Sequence, residues 1–136
     1  MIMTIETVRI SEKAKIYLLA LKRKTGIQNW NVICRWAFCL SLKEPSIPPN
    51  EKLQTDSSIE MTWKVFGGVN ADVYLALLKQ RCKLDGFKVT NKILNEQFKL
   101  HLHRGIADLA TSMKLKNIST LLALIENTSA QHSTTD

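Results

Sequence analysis

The chain has 136 residues, 45% of them apolar, and a formal net charge of +7. That length supports one sizeable core and is short for two domains; Glu6 and Arg9 break up the first apolar stretch, so neither a secretory leader nor a membrane span of about 20 apolar residues is expected, and a cytoplasmic protein is. Cys34, Cys39 and Cys82 lack CxxC spacing, which argues against a disulfide framework or a zinc site and predicts buried small hydrophobes, with Cys82 beside Arg81 as the one candidate for reactivity.

Residues 5 to 10, IETVRI, are rich in β-branched side chains and alternate, with Glu6, Val8 and Ile10 on one side and Ile5, Thr7 and Arg9 on the other, which predicts a short strand with a half-apolar face. Ser11 is a good N-cap, Ala14, Tyr17, Leu18 and Leu21 recur at helical spacing, and Gly26 follows Lys22, Arg23 and Lys24, so a first helix is placed at 12 to 25. Asn29 can cap a second helix with an apolar stripe of Val32, Ile33, Trp36, Ala37 and Leu40 that ends before Pro45. Pro45, Pro48, Pro49 and Asn50 then make a rigid connector, continued by a polar stretch to Ser58.

Residues 59 to 66 alternate weakly and are read as a short strand broken by Gly67 and Gly68. Asn70 opens a helix through Tyr74, Leu75, Leu77 and Leu78 to about residue 84, and Thr90 caps another to about residue 110. Asn117 or Ser119 starts a last short helix before a Ser/Thr-rich tail from Thr128 that is expected to be disordered. The expected architecture is a single, mainly α domain over 1–127. It comprises a basic strand-helix-helix unit (5–43), a Pro-rich connector (44–58) and a helical unit (59–127), followed by the 128–136 tail.

Charge is segregated along the chain. Residues 1 to 43 hold eight basic and two acidic side chains, residues 44 to 75 two and five, and residues 76 to 104 seven and two. Such separation points to a polyanionic partner, and nucleic acid fits better than a membrane surface because no helix combines a basic face with exposed aromatic anchors. The alternative is a set of solvated lysines that keep the protein soluble.

A basic strand followed by two helices joined at a glycine is the plan of the ribbon-helix-helix proteins, in which two such strands pair across a dimer and the ribbon enters a major groove. On that plan Val8 and Ile10 enter the dimer core and Arg9 is exposed to a base edge or phosphate. Lys15 and Lys22, seven residues apart, share a helix face that Arg23 and Lys24 extend, and Lys79, Arg81 and Lys83 cluster near the end of a later helix. These eight cations are the candidate DNA-binding residues.

His101 and His103 lie two apart in a helix and point about 200° apart, so they cannot share a metal; a buried polar contact, or a phosphate contact from Arg104, suits the segment better. Gly67 and Gly68 ahead of a helix form a weak anion-turn signal that lacks the lysine and hydroxyl of a P-loop. Trp30, Trp36 and Trp63 are expected in the core. No nucleophile elbow, carboxylate pair or Cys/His ligand set is present, so no catalytic residue, metal or cofactor is assigned and an enzyme is not expected.

Five blocks, VRISEKAK (8–15), LKRKTGIQNWNVICRWA (21–37), MTWKVFGG (61–68), LALLKQRC (75–82) and FKLHLHRGI (98–106), together resemble the DndE family of DNA sulphur modification proteins over roughly residues 7 to 110. The resemblance implies membership of the pathway that replaces a non-bridging phosphate oxygen of DNA with sulfur. It further implies that sulfur mobilisation, iron-sulfur chemistry and ATP hydrolysis belong to partner proteins, leaving this chain to engage DNA as a homo-oligomer, a dimer or a tetramer. Two rival expectations remain open: a ribbon-helix-helix repressor with a preferred operator, and an adaptor that docks acidic partners without binding DNA.

Overall fold

The computed structural model describes residues 4–115. Along the chain run β1 (Thr7–Arg9), α1 (Glu12–Thr25), α2 (Trp30–Lys43), β2 (Glu60–Thr62), the short α3 (Trp63–Gly67), a 3-10 turn at Gly68–Asn70, α4 (Ala71–Leu84) and α5 (Asn91–Leu115). This is the mainly α plan expected from the sequence, except that the strand expected over residues 59 to 66 is confined to Glu60–Thr62, after which Thr62 Oγ1 caps the helix α3 by accepting from the Val65 N–H. The expected last short helix and Ser/Thr-rich tail lie outside the described residues.

Local signals set the helix ends. Ser11 Oγ accepts from the Ala14 N–H at 3.1 Å to start α1, and Gly26 closes it in the left-handed region (φ 74°), donating its N–H to Lys22 O. A residue with a Cβ is strained at that φ, which is why glycine marks the joint. Thr90 Oγ1 caps α5 by accepting from the Ile93 N–H at 3.2 Å. That helix runs past the expected end near residue 110 to Leu115.

From Thr7 onward the expected alternation holds, with Val8 and Ile10 buried and Thr7 and Arg9 facing out; ahead of the strand it fails, Ile5 being buried and Glu6 exposed. The strand's partner differs from the expected one. β1 pairs antiparallel with β2 of the same chain, Val8 opposite Met61 and Arg9 opposite Glu60, so Val8 and Ile10 enter this chain's own core instead of a dimer core. The pairing continues beyond both strands, with Trp63 N–H donating to Glu6 O at 3.0 Å and Ser57 N–H to Ile10 O at 3.2 Å.

α5 is the spine, packing against α1, α2 and α4. Its closest neighbour is α2, because Gly105 has no side chain: a Cβ there would fall 1.8 Å from Ala37 O. Phe38 sits at the centre of the resulting aromatic core, its ring centroid 5.1 Å from Phe98 and 5.8 Å from Phe66, with Trp63 stacked 4.9 Å from Phe66.

Two helix faces are rotated from the sequence expectation. In α2 the buried stripe is Ile33, Cys34, Ala37, Phe38 and Ser41, and Trp36, expected in the core, is 57% exposed, with Leu40 at the surface beside it. The helix is apolar almost all round, so periodicity leaves its orientation open, and Phe38 docking among the other rings decides it. In α4, Leu78, Arg81 and Cys82 are buried and Leu77 faces solvent.

The same rotation of α2 places Cys39 on the exposed side, against the expectation of a buried thiol, whereas Cys34 and Cys82 are buried. Burial, and next Asp85, pushes the Cys82 thiol up to about 11, so the expected candidate for reactivity is protonated at neutral pH. Among the described residues no helix is long and apolar enough to cross a membrane.

Candidate nucleic-acid interface

The structure places the N-terminal cations along β1 and α1. α1 buries Ala14, Leu18 and Leu21 against the core, which turns Arg23 and Lys24 outward at its C-terminal end and sets Lys15 and Lys22 along the edge of the buried stripe. Cations in that last turn also complement the helix dipole. Lys22 is held by α2, its Nζ lying 4.5 Å from the centre of the half-buried Trp30 ring. A cation over an aromatic face keeps its charge while losing mobility. Lys15 Nζ donates to Ser58 Oγ at 2.7 Å.

Arg9 forms an ion pair with Glu60, its direct partner across the β1–β2 ribbon. Glu60 and Ser58 went unmarked in the sequence because their position depends on a strand pairing between residues 51 apart. No local signal carries that register.

The α4 cations separate. Lys83 is exposed and Lys79 half-buried. Arg81 is only 9% exposed, and its guanidinium is fully engaged: Nη1 donates to Leu42 O, Nη2 to Glu44 O and Ser46 O, and Nε to the Asp85 carboxylate at 2.9 Å. This corrects its expected role as a DNA contact. Residues two apart on a helix face opposite ways, so Arg81 shares the inner face of Leu78 and Cys82 while Lys79 and Lys83 share the outer one. That spacing was the signal available in the sequence.

Arg104 completes a clamp on the same segment. Its Nε donates to Ser41 Oγ at 2.9 Å, Nη2 to Ser41 O and Nη1 to Ser46 O. Two guanidiniums from α4 and α5 thus take up the carbonyls left unpaired at the end of α2 and the start of the connector. Ser41 Oγ, accepting from Arg104, is also hydrogen-bonded to His101 Nδ1 at 2.8 Å, so Arg104, Ser41 and His101 form one chain of polar contacts. Burial, with Arg81 and Arg104 adding to it, pushes His101 down to about 4, so the ring is neutral at pH 7.

His103 is used differently. Its Nε2 accepts from the Ser11 N–H at 3.1 Å and its Nδ1–H donates to Lys99 O at 2.7 Å, tying the start of α1 to α5; burial lowers its pKa as well. Both histidines therefore make the buried polar contacts expected of them. Among the described residues no three His, Cys, Asp or Glu side chains gather as a metal cage. Gly67 and Gly68 form the turn between α3 and α4, and Gly68 at φ 59° faces the Arg35 guanidinium.

Three comparisons bear on this arrangement. A family model described as DNA sulphur modification protein DndE matches residues 7–117. Among solved structures, the crystal structure of DndE from Escherichia coli B7A, involved in DNA phosphorothioation modification, is similar with a TM-score of 0.65 and 23% identity, covering 76% of this chain and 95% of that one. A double glycine-to-lysine mutant of DndE is similar with a TM-score of 0.61 and 22% identity, covering 78% and 97%. At that identity the two structures speak to the fold alone. Among curated proteins none matches the sequence.

Proposed function

The chain belongs to the DndE family of DNA sulphur modification proteins, and from that membership we propose that it acts in DNA phosphorothioation as a DNA-binding accessory, gripping duplex DNA by its phosphates without catalysing a step itself. The observation that carries the proposal is the run of cations on two successive elements: Arg9 stands on the outward face of β1, and Lys15, Lys22, Arg23 and Lys24 lie on α1 outside or at the edge of the stripe that it buries in the core. Lys79 and Lys83 on α4 form a second basic strip.

Phosphate contact by lysine and arginine supplies sequence-independent affinity and releases counterions, so binding weakens steeply with salt. Partner proteins of the modification complex supply the sulfur and redox chemistry. Several copies acting together, as a dimer or a tetramer, multiply the basic strips on one duplex. Support for such assembly comes from Trp36 and Leu40 on α2 and Val73, Leu77 and Leu84 on α4, large apolar side chains that a lone chain leaves in water. A nicked duplex is the preferred form in this reading, because the modification takes place at a phosphodiester.

The test is fluorescence anisotropy with intact, nicked and single-stranded DNA over a salt series, repeated with Lys22, Arg23 and Lys24 all changed to alanine. The expected result is affinity that falls steeply with salt and a log-log slope shallower by about 2–3 in the triple variant, since each lost phosphate contact removes about 0.9. An unchanged slope, or no binding by the wild type at low salt, refutes the reading. Equal affinity for nicked and intact duplex refutes the preference alone.

A further inference from the structure

Glu60 is an acid set among the cations of the ribbon surface. It stands directly across from Arg9 in the antiparallel register, and its carboxylate accepts from the Arg9 guanidinium. The two side chains are 46% and 44% exposed, so the pair lies at the surface and within reach of a solute. Two residues earlier, Ser58 holds the ammonium of Lys15. One short segment of chain thus engages two of the cations assigned above to DNA.

The placement is built in by the backbone. Val8 and Ile59 are buried beneath the ribbon, Ile10 N–H donates to Ile59 O at 3.4 Å, and the Trp63 N–H to Glu6 O bond secures the other end. Register fixed in this way keeps the two side chains opposite each other on the same face of the ribbon. A carboxylate and a phosphodiester offer a guanidinium the same thing, anionic oxygens in the geometry that its fork of N–H donors fits.

Resting on the DNA-binding reading, we propose that Glu60 is an internal stand-in for a DNA phosphate. It occupies Arg9 in the free protein and must give that residue up when a phosphate arrives. It also repels the incoming phosphate. Glu60 therefore lowers affinity for DNA and for other polyanions, and withholds one cation from loose, transient encounters.

Removing the charge while keeping the shape, Glu60→Gln, is expected to tighten duplex binding about five- to tenfold near 0.1 M salt, the size that one exposed ion pair and one like-charge repulsion support. The log-log salt slope should steepen by up to about 0.9, because the variant's complex no longer holds a carboxylate that offsets one cation's worth of phosphate neutralisation. Glu60→Thr, which suits a strand, should do the same, and adding Arg9→Ala to either should abolish the gain. A merely structural role for the pair moves the thermal melt and leaves the slope alone. Unchanged affinity and slope in both variants, with the wild type binding DNA, overturns this proposal only; weaker binding overturns it too and makes Glu60 itself a duplex contact. No binding by wild type and variants alike overturns the DNA-binding reading along with it.

Discussion

Replacing Gly105 by alanine probes the closest contact in the fold. The added Cβ would lie 1.8 Å from Ala37 O, 2.4 Å from its carbonyl carbon and 3.0 Å from its Cα. Non-bonded heavy atoms prefer roughly 3.5–4.0 Å, and all three obstacles are backbone, so no side-chain rotation relieves them. α2 and α5 must move apart. Overpacking typically costs about 1–3 kcal/mol, and here the retreat also loosens the Phe38–Phe98 contact and the bonds from Arg104 to Ser41 and Ser46. A hydrogen bond from a charged group contributes about 1.5–3 kcal/mol, so the whole cost should reach about 3–5 kcal/mol. For a domain of this size that lowers the melting temperature by more than about 10 °C. Gly86→Ala is the control, since Gly86 has φ 86° and nothing within 4 Å of the added atom. It should cost only the left-handed strain of about 1–2 kcal/mol. Thermal and urea melts followed by circular dichroism compare the two. If Gly105→Ala melts within about 3 °C of the wild type, or no lower than Gly86→Ala, the close helix crossing is not the constraint described here.

Two further outcomes are expected. Arg81→Ala leaves the Asp85 carboxylate and the carbonyls of Leu42 and Glu44 without their buried donor, Ser46 O keeping Arg104, which should cost about 3–5 kcal/mol in urea melts while leaving the salt slope of DNA binding unchanged in the folded fraction. A shallower slope with undiminished stability would restore Arg81 to the interface. Acid should also destabilise the protein through His101, whose pKa is about 4 in the fold against 6.5 for the unperturbed group. The folded state favours the neutral ring, so its contribution is fully present above pH 6.5 and is lost as pH falls from 6.5 toward 4, by about 2–3 kcal/mol in all. His101→Gln should flatten that part of the profile; an equally steep fall in the variant would place the titration elsewhere.

What the sequence determined by itself was whatever depends on neighbours along the chain. Ser11 and Gly26 bound α1 at the predicted residues, Thr90 starts α5 where expected, and the alternation over residues 7 to 10 already told Val8 and Ile10 from Thr7 and Arg9. Caps, left-handed glycines and period-two patterns act over a few residues, so local sequence carries them. The five blocks that resemble DndE were legible for the same reason and led to the family.

Only the tertiary structure decided what depends on contacts between distant segments. α2, apolar on nearly every side, has no face until Phe38 meets Phe66, Tyr74 and Phe98, and that choice sends Trp36 and Cys39 outward. Arg81 counted as one more cation in a basic cluster until the end of α2 arrived with three carbonyls to receive it. β1 found its partner in β2, and with it Arg9 found Glu60. A free charge and a satisfied one are the same letter in the sequence; long-range packing, which brings or withholds the partner, is what separates them.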